Sequence, residues 1–269
     1  GLSGYGFWSH DIGGFEGIPA EQGSSRLFVP LFRSRQAYHF DRLDTAIAVA
    51  NAGAAPASVT VTYHPTSNAS ASEACRAAGP IVHGPVAIPP GTNAIFDQGP
   101  GGGHGLPDNC FGSAVVETAD PDGAVVATVL DVQNGGETLS MINASPAEFA
   151  ARSIALPLFR SRHLRAAYTT GIQVMNTGDR PARVHIDFAR THDNESFPIP
   201  DCGSACDAVI APFEAHTWWP PAVAAIPNGS YGAAVLYSDA PIVVLVNDYP
   251  LQGASDMATY AGLPLVAAP

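Results

Sequence analysis

The hexapeptide PLFRSR occurs twice, at residues 30–35 and again at 157–162. Downstream, residues 45–63 (TAIAVANAGAAPASVTVTY) lie over 170–188 (TGIQVMNTGDRPARVHIDF) without a gap, and Thr45, Ile47, Val49, Asn51, Gly53, Pro56, Ala57 and Val59 each recur. Further on, GSAVV from Gly112 matches GAAVL from Gly232, and VVATVLD from Val125 matches IVVLVND from Ile242. Self-similarity of this kind means two copies of one structural unit. The spacing between matched segments shrinks in the second copy, which therefore has shorter loops. A chain of 269 residues is long enough for two units that each bury a core.

Within each copy the segments are short, rich in β-branched residues and broken by Gly, Pro, Asn and Asp. Ile47 and Val49, then Val59, Val61 and Tyr63, alternate with small or polar residues, which is the period of half-buried strands. Between them NAGAAP and NTGDRP supply turn residues, and the expected arrangement is a hairpin. Counting such segments gives about seven strands per copy, the number expected of a sandwich. The predicted fold is all-β: two tandem Ig-like or fibronectin-like β-sandwich domains over 26–146 and 147–262. An N-terminal segment, 1–25, precedes them and a partial strand, 263–269, follows. Only residues 145–152 (SPAEFAAR), in the linker between copies, have the composition of a helical turn.

Charge narrows the partners. Lysine is absent, the 12 basic residues face 24 acidic ones, and the formal net charge is −12. Such a surface repels phosphate backbones and anionic membranes, so nucleic acid is not an expected partner. No apolar run approaches the roughly 20 residues that cross a bilayer, so no membrane-spanning segment is expected. The first residues lack a basic and then apolar leader, so an export signal would lie upstream or have been removed.

Cys75, Cys110, Cys202 and Cys206 fall two to each half, and four cysteines allow three pairings. Pairing within each half, Cys75 with Cys110 and Cys202 with Cys206, lets the copies fold independently; four free thiols are the alternative. No C-x2-C or H-x3-H pair accompanies them, and neither a metal nor a cofactor is expected.

Residues 263–266 (LPLV) resemble the VPLF and LPLF that open the two copies, as if the chain stopped where a third copy begins. An orphan strand must pair with its own second domain or with a neighbouring molecule. At the other end LSGYGF sits before the first copy where DMATYAG sits before LPLV, so residues 1–25 read as the last strand of a preceding copy. The candidate assembly strands therefore carry Leu2, Tyr5, Phe7 and Trp8 at one end and Leu263, Leu265 and Val266 at the other. The leading expectation is a non-catalytic structural protein, a surface-layer or filament subunit that assembles with copies of itself.

The LPL opening followed by I-x-V-x-N-x-G resembles secreted tandem β-sandwich repeats of bacterial surfaces over residues 26–266, and implies an extracellular, non-catalytic role. Residues 4–17 (GYGFWSHDIGGFEG) resemble the segment around the general acid/base of family-31 glycoside hydrolases. That resemblance implies Asp11 as proton donor, with Trp8 and His10 lining a sugar site. Retaining hydrolysis needs a second carboxylate about 5 Å away on a rigid scaffold. The family's (β/α)8 barrel takes about 250 residues, and its nucleophile motif is missing, so no catalytic residue and no glycosidase activity are expected.

Trp218 and Trp219 align with Phe96 and Asp97. Neighbours on a strand face opposite sides, so one fills the core while the other is free to stack on a sugar ring. A carbohydrate-binding or adhesive module, with glycans as partners, is thus the alternative function. His192, Asp193, Asn194 and Glu195 form the densest cluster of ligating types, in an expected loop where a solvated loop is the simpler reading. Arg33 with Arg35, and Arg160 with Arg162, are expected on one strand face, poised for a neighbour's carboxylates. N-x-S triplets mark Asn68, Asn143, Asn194 and Asn228 as possible glycosylation sites.

Overall fold

The computed structural model describes residues 23–38, 41–98, 105–120, 122–133, 137–192, 195–199, 202–251 and 257–265. The first half forms β1 (Arg26–Ser34), β2 (Gln36–Tyr38), β3 (Asp41–Asn51), β4 (Ala57–Pro65) and β5 (Ile81–Ile88). It continues through β6 (Asn93–Asp97), β7 (Cys110–Thr118), β8 (Val125–Gln133), β9 (Glu137–Asn143) and β10 (Ser145–Pro146). The second half forms β11 (Ala151–Ser161), β12 (Thr169–Asn176), β13 (Ala182–His192), β14 (Glu195–Pro198) and β15 (Asp207–Ile210). After these come β16 (Ala215–Trp218), β17 (Ser230–Tyr249), β18 (Ala258–Ala261) and β19 (Leu263–Pro264). The protein is all-β, and its pairings are antiparallel throughout. The linker expected to hold a helical turn contains a short 3-10 turn, Ala147–Phe149.

In the first half one sheet has the order β10-β1-β7-β4-β5, and β2-β3-β8-β9 form the other, with β6 also on β3. Leu27, Phe32, Val59, Val61 and Tyr63 of the first sheet meet Ile47, Val49, Phe96 and Val129 of the second in one core, the arrangement of a β-sandwich. The second half repeats the pairings: β11 and β13 flank the start of β17, and β12 and β18 flank its end. Its core joins Ile154, Phe159, Val184 and Phe188 to Ile172, Val174, Trp218 and Val244. In the first half the chain passes between sheets through a turn at Asp120 to Gly123, whereas the shorter second half does so inside one 20-residue strand, β17.

The repeated motif is explained by this geometry. The register of β1 shifts between Val29 and Phe32, and that of β11 between Leu156 and Phe159. Pro30 and Pro157 occupy these bulges, where the ladder needs no donor. Phe32 meets Tyr63 edge-on at 5.2 Å, and Phe159 meets Phe188 at 5.0 Å. Opposite each bulge the ladder requires glycine, because a Cβ at Gly112 would strike the carbonyl of His64 and one at Gly232 that of Ala189.

Three expectations need correction. The N-x-G segment does not close a hairpin, because β3 pairs with β2, β6 and β8 while β4 pairs with β5 and β7 in the other sheet. It is an arch between layers, and alternation alone does not reveal which strand a strand will pair with. Its asparagine holds it: Asn51 Nδ2 donates to the carbonyls of Ala55 (2.8 Å) and Ile88 (2.9 Å) and Oδ1 accepts from Gly53 N–H (2.8 Å). Asn176 does the same with Arg180, Ile210 and Gly178.

The arginines of each pair do not share a strand face. Arg35 and Arg162 lie just past the strand ends at φ of 45° and 50°, which rotates them away from Arg33 and Arg160. The carboxylates that Arg33, Arg35 and Arg160 meet belong to their own chain: Asp131, Asp108 and Asp248.

At the C-terminus, Leu263 and Pro264 lie opposite Ala155 and Ile154 of β11, as Ser145 and Pro146 lie opposite Phe28 and Leu27 of β1. The segment closes the second copy and does not occupy the position of an opening strand. A match of three residues was too short to fix that register. Leu263 and Leu265 remain exposed on this edge. Val266, together with Leu2, Tyr5, Phe7, Trp8, His10 and Asp11, lies outside the described residues.

Candidate functional site

The two halves dock face to face. Phe28 and Val115, side by side on the outer face of the β1–β7 sheet, meet Met175 and Val243, side by side on β12 and β17. Phe213 and Ala215 extend the contact, and Ser113 donates its hydroxyl to the Phe213 carbonyl. With both faces covered, β1 is buried from Leu27 to Ser34 and β12 along its whole length, without alternation.

Beside this apolar contact the facing sheets diverge and leave a cleft of about 340 Å³, within the roughly 300–1,000 Å³ range of ligand sites. The first copy supplies Leu31, Arg33 and Gln36 from the end of β1 and the start of β2, Asn68 and Ser70 from the loop after β4, and Phe111 from β7. The second supplies Gly171 and Gln173 of β12, Thr217 of β16, Trp219 just beyond it, and Asn247 and Tyr249 of β17. Trp219 stacks on Tyr249 with ring centroids 5.5 Å apart and planes 23° apart. Trp218 points the other way into the core, 2% exposed, and its Nε1–H donates to the Ala205 carbonyl at 3.0 Å. The expected split of the two tryptophans therefore places only Trp219 on a surface that a ligand can reach.

The polar floor is ordered from within the protein. Arg33 pairs with Asp131 and donates its Nε–H to Gln36 Oε1 at 3.1 Å. Thr45 Oγ1 accepts the Arg33 N–H (2.9 Å) and donates to Asp131 (3.1 Å). Gln173 Oε1 accepts the Thr217 hydroxyl at 2.8 Å, and Asn247 Oδ1 accepts that of Thr259 at 3.0 Å. Both amides are more than nine-tenths buried. Such an assembly offers a flat aromatic face and fixed hydrogen-bonding groups. Among the described residues, no Asp or Glu lines it.

The remaining candidates fall elsewhere. The cysteines form Cys75–Cys110 and Cys202–Cys206. His192 and Glu195 are paired in the backbone register at the end of the β13–β14 ladder, while Asp193 and Asn194 lie outside the described residues. Among the described residues, no three His, Cys, Asp or Glu side chains group as metal ligands would. Asn68, Asn143 and Asn228 are exposed. No helix among the described residues is long and apolar enough to cross a membrane.

No family model matches the chain, and no curated protein matches it by sequence. Among solved structures it is similar to one titled "Crystal Structure of Thermotoga maritima 1070", with 18% identity and a TM-score of 0.35, over 43% of this chain and 96% of that one.

Proposed function

We propose that this is a non-catalytic, exported protein, two tandem Ig-like repeats of the kind found on bacterial surfaces, that binds saccharide in the cleft between its copies. The observation that carries this reading is Trp219, backed by Tyr249 and set beside buried carboxamides. A pyranose presents C–H faces that lie on an indole and equatorial hydroxyls that planar amides bind. The disulfides fit an oxidising compartment.

Titration calorimetry against a panel of soluble oligosaccharides tests the reading. Trp219→Ala should weaken binding by about 30-fold, the equivalent of about 2 kcal/mol for a buried aromatic anchor. Binding that survives the substitution unchanged sinks it. A second reading, self-assembly through terminal strands, draws on Leu263 and Leu265, exposed at a sheet edge. Light scattering that shows a monomer at every concentration removes it.

A further inference from the structure

Resting on that reading, we infer that the cleft selects a sugar carrying an acyl or carboxylate group over an unsubstituted one. The four carboxamides at the cleft have each engaged their carbonyl oxygen within the protein. Arg33 Nε–H, which can only donate, fixes the orientation of Gln36, and the Ser70 backbone N–H fixes that of Asn68 at 2.9 Å. The hydroxyls of Thr217 and Thr259 hold the carbonyls of Gln173 and Asn247. With those oxygens engaged, the NH2 groups of these four lining side chains, which can only donate, are left for other partners, and Arg33 adds a guanidinium to the same lining.

Gln173 and Asn247 are only 8% and 2% exposed, so their N–H donors must find acceptors inside the cleft. A hydroxyl supplies one acceptor but also brings a donor that needs a partner of its own. A carbonyl or carboxylate supplies acceptors alone, which is what a donor-rich wall demands. Among the described residues no acidic side chain is in the lining, in a chain of net charge −12, which spares a carboxylated sugar local repulsion. An N-acetylhexosamine and a hexuronate share this chemistry.

Three ligand sets separate the outcomes: oligomers of N-acetylglucosamine, oligogalacturonates, and unsubstituted cello-oligosaccharides, titrated at two salt concentrations. At least one substituted set should bind 10-fold or more tighter than the unsubstituted set. Affinity that falls with salt identifies the carboxylate, and affinity that does not identifies the acyl group. Gln36→Glu, on the partly exposed rim where folding is not at stake, should lower affinity for the preferred set by 10-fold or more. Equal binding of all three sets, still sensitive to Trp219→Ala, overturns the selectivity and leaves the site. No binding by any set overturns both.

Discussion

The two copies hold the same buried network in different surroundings. In the first, Arg33 N–H, Thr45 Oγ1 and Asp131 are linked as Arg160 N–H, Thr170 Oγ1 and Asp248 are in the second, and each set is closed by an ion pair, Arg33 with Asp131 and Arg160 with Asp248. Yet the Arg33 side chain is 7% exposed and that of Arg160 is 24% exposed. The first copy's arginine lies where the second copy docks, whereas among the described residues no further copy docks on Arg160. Docking, and not the motif, sets how much an identical hexapeptide is worth.

The largest test of that difference removes each arginine in turn. Arg33→Met strands the buried Asp131 and should cost about 3–5 kcal/mol in urea titrations. Arg160→Met removes a more exposed guanidinium from an Asp248 that is as buried as Asp131, so the pair is better screened by water and its loss should cost about 2 kcal/mol. Equal losses would show that docking is irrelevant to the network. The disulfides differ by separation, 35 residues for Cys75–Cys110 and 4 for Cys202–Cys206. On loop-closure entropy, replacing the first pair with alanines should cost about 4 kcal/mol and replacing the second about 2 kcal/mol.

The smallest effect concerns pH. His64 of β4 lies 5.7 Å from the Phe213 ring across the junction, and burial holds its pKa below the ordinary value, partly opposed by the charge of Glu117. The second copy has Ala189 at the equivalent place. The unfolded chain therefore binds a proton before the folded one, so stability present above about pH 6.5 is lost as pH falls toward the lowered value. Buried His216 acts in the same sense, while His185, whose pKa Asp207 and Asp187 raise, acts in the opposite one. His64→Gln should flatten the acid side of the stability curve, as followed by thermal melts between pH 5 and about pH 7. An unchanged slope would take the junction out of the acid response.

The all-β class and the strands were legible, because period-two alternation and recurring Asn, Gly and Pro survive in the sequence. The partner of each strand was not. Val49 and Val59 alternate identically whether β3 and β4 pair or face one another across a core, and only the bonds of Asn51 to the opposite layer decide. Continuous burial of β12 was hidden because Gln173 and Asn176 read as surface residues. The cleft did leave a signal in positions where the copies disagree. Gln173, Thr217 and Asn247 stand where the first copy has Ala48, Ile95 and Leu130, polar for apolar at matching registers.

One wall of the cleft belongs to each copy, so occupancy and docking obey reciprocity: whatever factor docking adds to affinity, a bridging ligand returns to docking. Severing the chain between β10 and β11 would thus leave two half-sites. The affinity of the mixed halves would then depend on their concentration, as for any three-body complex.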